Sequence, residues 1–160
     1  MNPKSMSNSF MKRAIQLSLE NIRDGKGGPF AALVVKDGKV IAEGTNLVTS
    51  TNDPTAHAEI VAIRAACKVL GTFQLDGCEL YTTCEPCPMC MGALYWARPS
   101  KVYFANTRED AAKAGFDDSM IYEEIQKAFG DRKIPMIQMM REEAQLVFAE
   151  WEKKEDKIRY

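Results

Sequence analysis

The feature that most constrains this chain is its single histidine. His57 sits in Thr55-Ala56-His57-Ala58-Glu59, and about thirty residues later comes Pro86-Cys87-Pro88-Met89-Cys90. A catalytic zinc ion takes three protein ligands from His, Cys or carboxylate and leaves the fourth tetrahedral position for water. One imidazole and one CxxC pair supply that number, so a fold that uses them must bring the two stretches together. Taken alone, His57 reads as a helix-start residue bonded to backbone; the downstream cysteines reverse that reading. Cys87 and Cys90, three apart, project their sulfurs from one face of a helix for which Pro88 is well placed as the first residue. The unpaired amides of a helix N-terminus also favour thiolate over thiol. A redox CxxC couple is the rival, but it needs no partner histidine.

Cys84 is set aside as a ligand, because a fourth protein ligand would close the coordination shell and leave no place for water. Cys67 and Cys78 read as core residues. Five cysteines, two of them in metal-type spacing, point to a reducing compartment rather than a disulfide framework, and hence to the cytoplasm. Glu59 lies about 200° around an ideal helix from His57, which makes it a poor co-ligand. Its expected role is proton carrier: zinc lowers the pKa of its water to about 7, and an adjacent carboxylate takes that proton and delivers it to a departing group.

At 160 residues the chain is read as a single domain spanning 1–160, large enough to fold around one core. The 21 Lys+Arg against 22 Asp+Glu removes the basic balance of many nucleic-acid binders. No apolar run is long enough to span a bilayer. The first ten residues lack a secretory pattern and are read as a loose lead-in. A packing helix is predicted over residues 10–23 with Ser9 as N-cap, its apolar positions being Phe10, Met11, Ala14, Ile15, Leu17, Leu19 and Ile22. Residues 30–35 and 40–44 around Asp37-Gly38 predict a β-hairpin, and Gly27-Gly28 lacks what would complete a nucleotide-binding loop. Helices are predicted over 55–70, ending at Gly71, and over 88–97, 119–129 and 142–153. Strands are predicted over 78–83 and 101–105, and residues 134–139 read as extended. The alternation of strand and helix favours a sheet layered with helices.

HxE followed by PCxxC is the signature of zinc deaminases that act on nucleobases, and here the chain resembles the cytidine-deaminase-like superfamily of zinc hydrolases. Gly27-Gly28-Pro29-Phe30, residues 52–59, residues 84–90, residues 95–99 and Ala114-Gly115-Phe116-Asp117-Asp118-Ser119 look like its bacterial guanine-deaminating branch. The likeness implies a three-layer α/β/α sandwich around a mixed sheet of about five strands. It also implies a homodimer that exchanges its C-terminal segments, and hydrolysis of guanine to xanthine and ammonia in purine catabolism or salvage. By that resemblance His57, Cys87 and Cys90 hold zinc and Glu59 shuttles protons. Asn46 hydrogen-bonds the base, Asp118 meets its amino edge and assists proton transfer, and Phe30 and Phe116 flank the ring. Trp96 is a further pocket residue, and Tyr160 closes the partner's site. Without the resemblance, the aromatics read as core, Asp117 or Asp118 as a helix cap and Asn46 as a loop residue. A tRNA adenosine deaminase, a deaminase of another amino-substituted purine or nucleoside, and a structural-zinc interaction module are the alternative functions; the balanced charge, Gly115-Phe116-Asp117-Asp118-Ser119 and Tyr160 disfavour the first, and the three-ligand set the last.

Overall fold

The computed structural model describes residues 3–160, with side chains from Ser7 onward. The chain divides into two compact units, Met1–Asp118 and Ser119–Tyr160.

The first unit is built on a hairpin. β1 (Ala31–Lys36) and β2 (Lys39–Thr45) pair antiparallel through a two-residue turn at Asp37-Gly38, both with positive φ, as the right-handed twist of paired strands favours. β3 (Cys78–Cys84) pairs antiparallel with the other edge of β1, and β4 (Lys101–Asn106) runs parallel to β3. The order is β2-β1-β3-β4, a mixed sheet. Strand alternation sorts its side chains onto two faces. Leu33, Val35 and Tyr81 pack with Ala14, Phe10, Met11 and Leu17 of α1 (Pro3–Arg23). Ala32, Val34, Ala42 and Leu80 pack with Ala58, Ala62 and Ala66 of α3 (Ala58–Leu70) and with Leu94 and Ala97 of α4 (Pro88–Ala97). Those two cores make the three expected layers. No helix among the described residues is long and apolar enough to cross a membrane.

Several expectations shift. The first helix begins at Pro3, so Ser9 is interior rather than a cap and most of the supposed lead-in is helical. Ile15, Leu19 and Ile22, expected to pack, are exposed: the apolar face of α1 is wider than the strip this sheet covers. Short α2 (Val48–Thr51) occupies part of what reads as loop, and α3 starts at Ala58, three residues later than its periodicity suggests. α5 (Arg108–Lys113) was not anticipated, although Thr107 and Asp110 form a full capping box, a pattern visible as T-x-x-D. The sheet has four strands among the described residues rather than about five. Of the expected extended stretch 134–139, residues 135–139 carry no assigned secondary structure and residue 134 is a bend, so none of it joins a ladder.

The second unit contains α6 (Ser119–Gln126), a 3-10 turn (Phe129–Asp131) and α7 (Arg141–Lys153). None of its residues is buried, and Ile134 and Ile137 are more than four-fifths exposed.

The close approach of α3 to the sheet depends on Gly44. A Cβ there would lie 2.4 Å from the Ala58 carbonyl oxygen and 2.5 Å from the Ala62 nitrogen, both backbone atoms that cannot swing aside. Gly44→Ala is therefore expected to destabilise the protein by roughly 2 kcal/mol or more, since overpacked sites yield only by moving backbone. Denaturant unfolding measures this, and a variant as stable as the parent would contradict the packing described.

Candidate active site

His57 and Cys87 occupy equivalent places: each is the N-cap of its helix, in extended backbone, and neither uses its side chain to cap. Their side chains are thus free to turn toward each other, while Cys90 follows within the first turn of α4. Nδ1 of His57 lies 3.5 Å from Cys87 Sγ and 3.6 Å from Cys90 Sγ, and the three ligand atoms fall within 4.8 Å of one another. Tetrahedral zinc with its usual bonds, near 2.1 Å to nitrogen and 2.3 Å to sulfur, holds those atoms about 3.6 Å apart. The spacing fits the ion.

The protonation pattern fits it as well. The hydrogen bond donated by Cys90, followed by that to His57, draws the Cys87 thiol down to about 4 against the opposing effect of burial. Cys90 moves the other way, because its proton serves Cys87 and because it is buried. His57 is raised through its bond to Cys87. A metal ligand sulfur must be deprotonated, and the lowered Cys87 thiol favours that form. Cys84 stays outside this group. Burial, followed by the nearby Glu59, pushes its thiol up to about 11, and its Sγ donates to the Thr107 carbonyl at 3.6 Å. Cys78 is buried in the core as expected, and Cys67 packs beside it half-buried.

Glu59 is 6 % exposed in the first turn of α3. Its Oε1 accepts from the Thr82 hydroxyl at 3.2 Å and its Oε2 from Cys90 Sγ at 3.5 Å. Burial raises its pKa above the ordinary carboxylate range. A buried carboxyl beside the metal ligands, held by a hydroxyl, is suited to taking up and returning a proton.

These groups face a cavity of about 280 Å³, near the lower end of small-molecule sites. Phe30, Asn46, Phe116, Asp117 and Asp118 line it together with His57, Glu59 and Cys87. The Phe30 and Phe116 rings meet edge to face, with centroids 4.9 Å apart at 85°. Asp118 is half-buried, and burial followed by the Cys87 charge raises its pKa. Asn46 is 8 % exposed at the end of β2. One expected residue stands elsewhere. Trp96 is 63 % exposed on α4 and is not part of the lining, because it falls on the helix side opposite the buried Leu94 and Ala97. Tyr160 belongs to the second unit and is exposed.

Three residues at this site were not singled out by sequence reasoning. Thr82 touches Glu59 across 23 residues of sequence, a contact no local pattern announces. Glu85 stands inside the motif and its Oε2 accepts from the Arg108 backbone N–H at 3.0 Å, tying the start of α5 to the zinc-motif loop. Arg108 also lines the cavity.

If the ligand set is His57, Cys87 and Cys90 alone, Cys84→Ser retains one zinc per chain while Cys90→Ser loses most of it. Metal analysis of the purified variants decides this, and zinc loss on replacing Cys84 would contradict the assignment.

Residues 4–106 match the cytidine and deoxycytidylate deaminase zinc-binding region. Guanine deaminase of Bacillus subtilis is 57% identical over 152 residues, which is 95% of this chain and 97% of that protein. The X-ray structure of guanine deaminase from Bacillus subtilis aligns with a TM-score of 0.94 at 55% identity, covering 100% of this chain and 99% of that one. The tRNA-specific adenosine deaminase of Aquifex aeolicus is 45% identical over 96 residues, covering 60% of this chain and 63% of its own. With well over half of its length matched to the zinc-binding region and a ligand spacing that suits the ion, the chain belongs to the cytidine and deoxycytidylate deaminase family of zinc-binding proteins.

Proposed function

We propose that this protein is a zinc-dependent guanine deaminase, which hydrolyses guanine to xanthine and ammonia. The observation that carries the choice of substrate is the extent of the likeness: it runs through 95% of the chain for guanine deaminase and through 60% for the tRNA-specific enzyme. The small cavity, with two aromatic rings and several carboxyl groups, suits a flat, amino-bearing base.

His57, Cys87 and Cys90 would hold zinc, which supplies Lewis-acid activation of water when bound. The remaining work falls to side chains. Glu59, kept in place by Thr82, accepts the proton released by the attacking water and passes it to the amino nitrogen as that group leaves. Phe30 and Phe116 bound the plane of the base, and their apolar faces exclude competing water. Asn46 would donate to the ring and Asp118 would accept from the amino edge, two contacts that orient the base. One carboxyl serves as base and then acid, and a water oxygen replaces a nitrogen.

The same reading gives the second unit a role. A segment that exposes Ile134, Ile137, Leu146, Val147 and Phe148 and has no buried residue asks for a partner. Exchange of residues 119–160 between two copies would cover it and bring Tyr160 over the partner's cavity. Unpaired cysteines at all five positions suit a cytoplasmic enzyme.

Ammonia release from guanine, guanosine, adenine, cytosine and tRNA tests the substrate: guanine alone is expected to be turned over rapidly, and activity confined to tRNA would overturn the proposal. Glu59→Gln should keep zinc and lower kcat by about 10²- to 10⁴-fold. Thr82→Val should cost about tenfold in kcat with KM unchanged, as expected for one bond to a charged group. In sedimentation the protein is expected at twice its 17.9 kDa chain mass. Removing residues 158–160 should slow turnover without loss of zinc, and a monomer with full activity would dispose of the exchange.

A further inference from the structure

Asn21 has no part in the chemistry above, yet it is 2 % exposed near the C-terminal end of α1. Its Nδ2 donates to the carbonyl oxygens of Gly28 and Asn46, each at 2.9 Å, while its Oδ1 has no partner among the described protein groups. A buried amide with an unpaired oxygen is a cost that a plain packing residue would avoid. What it achieves is a clamp between the loop at residues 27–30 and the end of β2. Within that clamp the backbone N–H groups of Gly28 and Val48 both donate to Asn46 Oδ1, at 3.3 Å each. The approach is so close that a Cβ on Gly27 would lie 2.1 Å from the Asn46 carbonyl oxygen. Both acceptor positions of Oδ1 are thereby taken by backbone, and the group left for an occupant of the cavity is the Asn46 Nδ2, a donor only.

We propose that Asn21 is a positioning residue for specificity. By holding the Gly28 and Asn46 carbonyls, it keeps the Asn46 side-chain amide turned nitrogen toward the base. The pocket then reads a hydrogen-bond acceptor on the ring and rejects a C–H or N–H at the same place. An amide free to turn over would accept as readily as donate, and that discrimination would vanish. The inference rests on the reading that a nucleobase occupies this cavity beside Asn46.

Binding rather than turnover tests it. Zinc-loaded protein is titrated calorimetrically with hypoxanthine and with its 3-deaza, 7-deaza and 9-deaza forms, each lacking one ring acceptor. For the parent protein either the 3-deaza change alone, or the 7-deaza and 9-deaza changes together because each leaves the five-membered ring without an acceptor, should weaken binding about tenfold, the worth of a single well-made hydrogen bond. In Asn21→Leu the zinc content should be unchanged and that selective penalty should fall below about threefold, as in Asn46→Ala. Uniform weakening of all four compounds with the penalty preserved would overturn the proposal, as would a parent protein with no acceptor preference. Should the leucine variant not fold, Asn21→Ser, with one donor for two carbonyls, is held to the same criterion. Guanine turnover by the parent is measured in parallel: its absence would refute the substrate assignment, while the acceptor penalty reports on Asn21 separately.

Discussion

Two helix starts converge on one point, and the rest of the first unit is arranged so that they can. α3 and α4 each leave an N-cap residue in extended conformation, and at both places the side chain is spared from capping. His57 and Cys87 use that freedom to meet, and Cys90 joins from the next turn. The partial positive charge of two helix N-termini makes the meeting point favourable for thiolate. The same charge would oppose a bare cation, so the two sulfurs carry the electrostatic case for metal. Everything that sets the position of α3 and α4 therefore acts on the site. Gly44 lets α3 lie against β2, and the parallel crossover from β3 through α4 to β4 returns the chain so that Cys87 opens at the end of β3. Ligand sites at the carboxyl ends of strands in layered sheets arise in this way.

Around that point the wall of the cavity divides the labour. The metal ligands and Glu59 come from helix starts packed on the sheet, where side-chain positions are rigid. Asn46 comes from the end of β2, and Phe116, Asp117 and Asp118 from the stretch after α5. α5 is itself anchored, by its own capping box and by the Arg108 amide on Glu85, to the loop that carries Cys87. The stretch that carries Phe116, Asp117 and Asp118 is thus tied to the same framework as the loop that carries Cys87, through a hydrogen bond rather than through the core.

What was legible in the sequence follows from how local each feature is. α4, with Pro88 at its start and the C-x-x-C spacing, is readable to the residue because it depends on neighbours in sequence. The candidate zinc set, which spans about thirty residues, is legible because a lone histidine and a CxxC pair are residue types that zinc binds. The hairpin announced itself through Asp37-Gly38. Phe30, Asn46, Phe116 and Asp118 could be nominated through family likeness, and they do share one cavity. Trp96 was nominated on the same grounds and stands outside it, because adjacency to the motif says nothing about which side of α4 a side chain takes. Thr82 and Asn21 were invisible: their contacts span 23 and 25 residues and exist only after the layers assemble. The stretch 134–139 joins no ladder for the converse reason. Apolar residues at 134–139 suggest extended chain, but a strand is defined by a neighbour, and none among the described residues pairs with it.

The proposed chemistry depends on an open, three-ligand metal site. X-ray absorption at the zinc edge of the purified protein measures the first coordination shell directly. Two sulfurs near 2.3 Å and two nitrogen or oxygen atoms near 2.0–2.1 Å are expected, one of the latter from His57 and the other from solvent. A shell of three or four sulfurs, or one filled wholly by protein, would contradict it.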